Sequence, residues 1–263
     1  MGWFSTLSGG AVGMAIGGPI GAIIGAALGY GLGSDGDNER PESEQERKQA
    51  VFFTAVFATM GCVAKADGRV SGEEIRFVTQ LMDEMELDSE EREFAKNLFR
   101  EGKNLFREEK LLVSSLDDIL KQFCLECSDD PDMLNFFIWI LLHVAYADGR
   151  IGIREKRVVQ NIAFKIDFSL KKVEEIEAEI RAEGQGPSHQ SDGSNLEDAY
   201  KVLRVPPTAS DDGVKQAYHT LMKDYHPDVL ASKGLPEEMM TFATQRTQEF
   251  SRAYDCIRQA RNL

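Results

Sequence analysis

Apolar and polar positions divide this chain into three regimes. The first 34 residues carry no charged side chain, and within them GGAVGMAIGGPIGAIIGAALGYGLG (Gly9 to Gly33) places a glycine at every fourth position. From about Glu44 to Arg181 apolar residues recur at helical spacing: Val51, Phe52, Ala55, Val56, Thr59 and Met60 in one stretch, Ile75, Val78, Leu81, Met82 and Met85 in another. Turn signals at Asp67-Gly68, Asp88, Asp129 to Pro131, Asp148-Gly149 and Asp167 cut this middle region into about seven helices. Past Asn195 the pattern gives a short helix, a second helix and a long third one. Few stretches alternate as strands do, so the fold expected is all-α.

The first regime predicts a single N-terminal transmembrane helix over residues 1–34. Trp3 to Gly33 is 31 residues without a charge, and a bilayer core needs about 20. No Lys or Arg precedes the run, unlike a cleaved leader. Glycines on one face let two such helices approach closely in lipid, where backbone contact replaces the hydrophobic drive. Gly13, Gly17, Gly21, Gly25 and Gly29 are therefore candidate dimerisation positions. Their period of four drifts around a straight helix, so a pair must cross or supercoil. Pro19 removes a backbone donor and predicts a kink near residues 15–19. The first basic residues, Arg40, Arg47 and Lys48, follow the segment, which places the bulk of the chain on the cytoplasmic side and the N-terminus in the periplasm. Residues 35–47 read as a polar neck.

The middle module, 48–182, contains an internal repeat. VAKADGRVSGEE from Val63 and VAYADGRIGIRE from Val144 agree at seven of twelve positions. Each copy ends a helix, turns at glycine and restarts a helix, and SGEE (Ser71 to Glu74) has the form of a capping box. Asp67, Glu74, Asp148 and Glu155 are weak candidates for a paired acidic or divalent-metal site. The run Met133 to Ala147 is too short to span a bilayer and predicts a buried core helix, with His143 a core histidine.

Charge narrows the picture. The formal net charge is −14, which argues against a nucleic-acid partner. Residues 195–263 hold nine basic and ten acidic side chains, leaving −13 on the rest. The four cysteines include one close pair, Cys124 and Cys127, too few for a zinc ribbon. No cofactor and no metal site is expected. Residues 183–194, EGQGPSHQSDGS, read as a flexible linker to a separate last module.

In that module, 195–263, Pro206 and Pro207 break the first helix and Ser210 caps the second. The second ends at Tyr225, because Pro227 disfavours α conformation at His226. The third is expected from about Pro236 to Ala260. The turn between the last two holds His226, Pro227 and Asp228. An acid–base enzyme using His226 and Asp228 is a poor fit, since catalysis wants a nucleophile or a cleft with perturbed groups.

Two resemblances follow from these motifs. Residues 48 to 182, with their duplicated ADG turn, resemble the TerB-like helical domain. AYHTLMKDYHPD followed by EFSRAYDCI resembles the J-domain of DnaJ-type co-chaperones. Together with the N-terminal segment, the order is similar to that of membrane-anchored DnaJ-like co-chaperones of Gram-negative bacteria. The resemblance implies no enzyme but a regulatory co-chaperone, whose J-domain binds a DnaK-type 70-kDa heat-shock chaperone and stimulates its ATP hydrolysis at the inner membrane. His226, Pro227 and Asp228 are then the trigger. Lys215, His219 and Lys223, with the neighbouring Tyr218, meet an acidic groove on the chaperone. The chain departs from the usual pattern at Gln216 and Thr220, which are commonly basic. It departs again at Arg204, where LRV replaces LGV and asks for a left-handed turn. The glycine/phenylalanine-rich and zinc regions of full DnaJ proteins are absent. The alternative reading is an acidic metal-binding or envelope-stress sensor, with the J-domain as accessory recruiter.

Overall fold

A computed structural model describes residues 20, 21, 24, 44–107, 116–127, 129–184, 196–236 and 239–261. All of the regular structure among them is helical. The helices are α1 (Glu44–Lys65), α2 (Gly72–Glu84), α3 (Ser89–Arg107), α4 (Leu116–Cys127), α5 (Pro131–Ala145), α6 (Ile153–Lys165), α7 (Leu170–Gly184), α8 (Leu196–Val202), α9 (Asp211–Tyr225), α10 (Pro227–Ser232) and α11 (Met240–Arg261).

Among the described residues the middle region contains seven helices, α1 to α7, in line with its periodicity. Helix α1 is buried continuously from Gln49 to Ala64. A helix apolar on all sides can only be stable at the centre of a bundle. Helices α3, α4, α5 and α6 pack around it. Phe52 is the hub, with its ring 6.0 Å from Phe123, 6.4 Å from Phe136 and 6.2 Å from Phe137. Helix α5, which holds Met133 to Ala145 of the apolar run, is the second buried helix, as expected.

Contact between α1 and α3 is close enough to exclude any side chain at two points. A Cβ on Gly102 would lie 1.9 Å from the Ala58 carbonyl oxygen, and one on Gly61 would lie 2.2 Å from that of Phe99. Helix propensity costs roughly 1 kcal/mol at each glycine. The close approach outweighs it by letting Phe53, Phe57, Phe94 and Leu98 fill one core.

The repeat folds as two like corners. Gly68 and Gly149 end their helices with φ of +91° and +89°, a conformation that glycine adopts without steric cost. The two corners touch, since a Cβ on Gly152 would meet Asp67 Oδ2 at 2.1 Å.

At the N-terminus, Ile20, Gly21 and Ile24 are helical and buried. The two isoleucines belong to the bundle core, and the Ile20 amide donates to Gln122 Oε1 at 2.8 Å. Among the described residues no helix is long and apolar enough to cross a membrane. The expected transmembrane helix otherwise lies outside the described residues. So do Gly13, Gly17, Gly25, Gly29, the Pro19 kink, residues 35–43 of the neck and 185–194 of the linker.

The last module differs from expectation in three ways. The long helix begins at Met240 rather than near Pro236. A further short helix, α10, starts on Pro227 itself, because proline suits the first helical turn. And the module is seated on the bundle rather than free on a tether. Asn135 Nδ2 donates to the Tyr225 hydroxyl at 3.2 Å, Gln49 Nε2 donates to the Leu235 carbonyl at 3.3 Å, and Lys233 pairs with Asp132. The Arg246 guanidinium lies 5.1 Å from the Trp139 ring centre and 5.0 Å from that of Phe250. Gly234 packs against the Lys48 side chain, and its φ of +93° is a conformation that favours glycine.

Replacing Gly102 with alanine tests the close helix contact. Propensity favours alanine by roughly 1 kcal/mol, but the new methyl meets backbone. Overpacking of this kind costs about 1–3 kcal/mol. The expected outcome is net destabilisation, read as a lower denaturant midpoint.

Candidate functional site

The candidate site is the corner between α9 and α10. Ser210 starts α9 by accepting a hydrogen bond from the Gly213 amide at 3.1 Å. Asp211 and Asp212 lie in its first turn and Lys223 in its last, matching the helix dipole. Val214, Leu221 and Tyr225 are its buried face. The opposite face carries Lys215, His219 and Lys223, spaced four apart and all exposed. With Asp212, Gln216, Thr220 and Asp224 they line a shallow open depression. Tyr218, grouped with these cations on sequence, turns toward the hairpin partner. Its ring stacks on Tyr254 at 4.3 Å and its hydroxyl lies 3.4 Å from Ser251 Oγ.

His226 leaves the helix with an extended backbone, φ −64° and ψ 127°, as a residue before proline should. Its Nδ1 accepts a hydrogen bond from the Asp228 amide at 3.2 Å, capping α10. In the neutral ring the proton then sits on Nε2, free to donate. The Asp228 carboxylate is 89% exposed and the His226 side chain 40%. Pro227 fixes the turn between them. One rigid corner thus presents an imidazole donor and a carboxylate to an incoming partner, one turn from Lys223.

Arg204 adopts the left-handed conformation that its place in LRV implies, with φ of +61°. Its guanidinium donates to the Tyr225 hydroxyl at 3.1 Å and lies 5.6 Å from that ring. At the other end of the module Arg261 ties α11 to the loop before α9, through the Pro207 carbonyl at 2.9 Å and the Ala209 carbonyl and Asp211 carboxylate, each at 2.8 Å.

The four acidic residues of the repeat do come together, as a cap pair. Glu74 accepts from the Ser71 amide at 2.6 Å and Glu155 from the Gly152 amide at 2.7 Å. Both are buried. Burial raises the Glu155 pKa to about 7, helped by Glu74, Asp67 and Asp148, while the Gly152 amide opposes the shift. Burial raises Glu74 too, against the hydrogen bond it accepts from Ser71, and its Oε1 has no hydrogen-bond partner among the described residues. Burial of two like-charged carboxyls in one acidic corner accounts for both shifts. Among the described residues no group of three or more His, Cys, Asp or Glu is arranged to hold a metal ion.

His143 is half-buried, its Nδ1–H donating to the Trp139 carbonyl at 2.9 Å. Burial and the Arg246 charge lower its pKa to about 3, so it stays neutral. Cys62 and Cys127 are buried thiols with pKa raised to about 12 by that burial.

Comparison with known proteins follows the same division. Residues 53–178 match the family of tellurite resistance protein TerB, and residues 198–262 match the DnaJ domain. The chain is 39% identical to the co-chaperone protein DjlA of Vibrio parahaemolyticus, over 83% of this chain and 81% of that one. It is 38% identical to the protein of the same name from Photobacterium profundum and 37% identical to that from Coxiella burnetii, each over 84% of this chain and 82% of the relative. No solved structure matches it significantly.

The carboxyl pair predicts a pH effect. The Glu155 pKa is raised by folding, so the folded chain binds more protons than the unfolded one between about pH 4.3 and 7. Its contribution is full below that window and is lost as pH rises through 7. Glu155→Gln should flatten the fall in melting temperature between pH 5 and pH 8. An unchanged pH dependence would contradict the raised Glu155 carboxyl.

Proposed function

The chain belongs to the DjlA family of co-chaperones, and from that premise we propose that its J-domain docks on a DnaK-type chaperone and stimulates ATP hydrolysis there. The observation that carries the proposal is the exposed His226-Pro227-Asp228 corner at the end of a helix bearing Lys215, His219 and Lys223. The cations steer the encounter with an acidic surface and orient it. The corner then places two polar groups where the partner's ATPase responds to them. Lys215 and Lys223 are the lysine cations of this face, and Asp212 and Asp224, with Gln216 and Thr220, dilute it. Docking should therefore be more salt-sensitive than strong. On this reading the chain performs no reaction of its own and needs no cofactor.

We also propose that residues 1–34 anchor the chain in the inner membrane, with the N-terminus in the periplasm and both modules in the cytoplasm. Support comes from the charge-free length of Trp3 to Gly33 and from Arg40, Arg47 and Lys48 behind it. Insertion exchanges the packing of Ile20 and Ile24 in the bundle for packing in lipid. The period-four glycines then favour a homodimer, which pairs two J-domains at the membrane surface.

Two experiments test these proposals. Single-turnover ATP hydrolysis by the chaperone is measured with the full chain and with His226→Gln. Stimulation by the full chain and at least a tenfold loss in the variant are expected; equal stimulation would contradict the role of the corner. For the anchor, Gly17, Gly21 and Gly25 are replaced by leucine. Membrane insertion is expected to persist while cross-linked dimers disappear, and dimers at the original level would count against pairing through glycine.

A further inference from the structure

The Tyr225 hydroxyl is a meeting point of three segments far apart in the chain. Tyr225 is the last residue of α9, fully buried, with its ring edge-on to Phe250 at 5.5 Å. His226 follows it directly, so the direction in which the chain leaves Tyr225 sets where the imidazole and the Asp228 carboxylate stand. Two donors reach its hydroxyl: Asn135 Nδ2 from α5 at 3.2 Å and the Arg204 guanidinium from the turn after α8 at 3.1 Å. Asn135 and Tyr225 are both buried.

Arg204 is the informative member. Its φ of +61° is a conformation that glycine adopts freely and that costs other residues about 1–2 kcal/mol. A glycine would close the same turn more cheaply. What the arginine adds is the guanidinium on the Tyr225 hydroxyl and over its ring at 5.6 Å. The strain is offset by a contact made to the residue that precedes the trigger. Asn135 makes the matching contact from the other module, beside the Lys233–Asp132 pair.

We propose that Arg204 and Asn135 are positioning residues for the His226-Pro227-Asp228 corner, acting from two modules through the Tyr225 hydroxyl. This rests on the chaperone-stimulating reading above. It makes the TerB-like module part of the J-domain's trigger, because α5 supplies one of the two donors. A change that moves α5 moves the corner.

The test is a double-mutant cycle on the full chain, using Arg204→Gly, Asn135→Leu, Tyr225→Phe and the two pairs that combine the first two with the third. Arg204→Gly relaxes the backbone, and Tyr225→Phe keeps the ring, so neither depends on tolerating a loss of packing. Two readouts are taken. The first is stimulation of a DnaK-type ATPase, separated into its maximum and the concentration giving half of it. Each single variant should lower the maximum about threefold to tenfold, the scale of one hydrogen bond. The half-stimulating concentration should stay put, because the cations of α9 are untouched. In the Tyr225→Phe background Arg204→Gly and Asn135→Leu should have much smaller effects than in the unaltered chain, Arg204→Gly keeping only the loss of its ring contact. Full additivity would overturn the proposal, as would an unchanged maximum in the single variants.

The second readout is hydrogen exchange at the Asp228 amide, which caps against His226 Nδ1. It needs no chaperone, so it separates failure of the proposal from failure of the reading beneath it. Exchange should quicken in Arg204→Gly, Asn135→Leu and Tyr225→Phe alike. If it does not, the proposal is wrong whatever the ATPase does. If it does while the wild-type chain leaves the ATPase unstimulated, the positioning stands and the chaperone reading falls.

Discussion

Burial of α1 on every side is the constraint from which the rest of the architecture follows. Sixteen consecutive residues, Gln49 to Ala64, are removed from water. A helix of that kind has no stable place except inside other helices, and each fully buried Val, Phe or Met side chain on it contributes on the order of 1.5–3 kcal/mol. The glycine-to-backbone contacts with α3 bring one neighbour in close, and the Phe52 cluster draws in α4 and α5. The two ends of α1 then acquire different roles. Its C-terminal end leads into the Asp67 corner and the carboxyl pair. Its N-terminal end, through Lys48 and Gln49, meets the Gly234-Leu235 loop of the last module.

That second contact changes how the J-domain is to be understood. It is held at three kinds of site: polar contacts at Gln49 and Asn135, an ion pair at Lys233 and Asp132, and Arg246 between two aromatic rings. Each is modest alone, since hydrogen bonds are worth about 1 kcal/mol net and cation–π contacts about 0.5–2 kcal/mol. Together they hold one side of the module and leave the cationic face of α9 and the His226 corner in solvent. The seating leaves the His226-Pro227-Asp228 corner uncovered.

Much of this was legible in the sequence, for reasons that can be named. Helical periodicity is local, so α1 to α9 stood out. The turn at Asp-Gly, the cap at Ser71 and the break at Pro227 each have a residue-level cause, and Arg204 announced its left-handed turn by standing where a glycine is usual. The capping carboxylates were found as a group, as weak candidates for a paired acidic or divalent-metal site, and the structure brings them together at the two helix caps. What escaped is long-range. Nothing in the spacing of Asn135, Arg204 and Tyr225 joins them, because a hydrogen bond between residues 90 apart leaves no period. The seating of the J-domain, the turn of Tyr218 toward Tyr254 and the packing of Ile20 and Ile24 in the bundle are of the same kind. Helix α10 was missed because six residues are too few to show periodicity.

The central claim is that the two modules form one body, with the J-domain held rather than tethered. Pulsed electron resonance on a doubly labelled full chain tests it most directly. Labels are placed at Lys121→Cys, 77% exposed on α4, and at Lys215→Cys on the open face of α9. Cys124 and Cys256 are changed to serine, and Cys62 and Cys127 are left buried and unreactive. One narrow distance distribution is predicted, broadening when Asn135 and Asp132 are both replaced. A broad distribution in the unaltered background, insensitive to those replacements, would contradict the account.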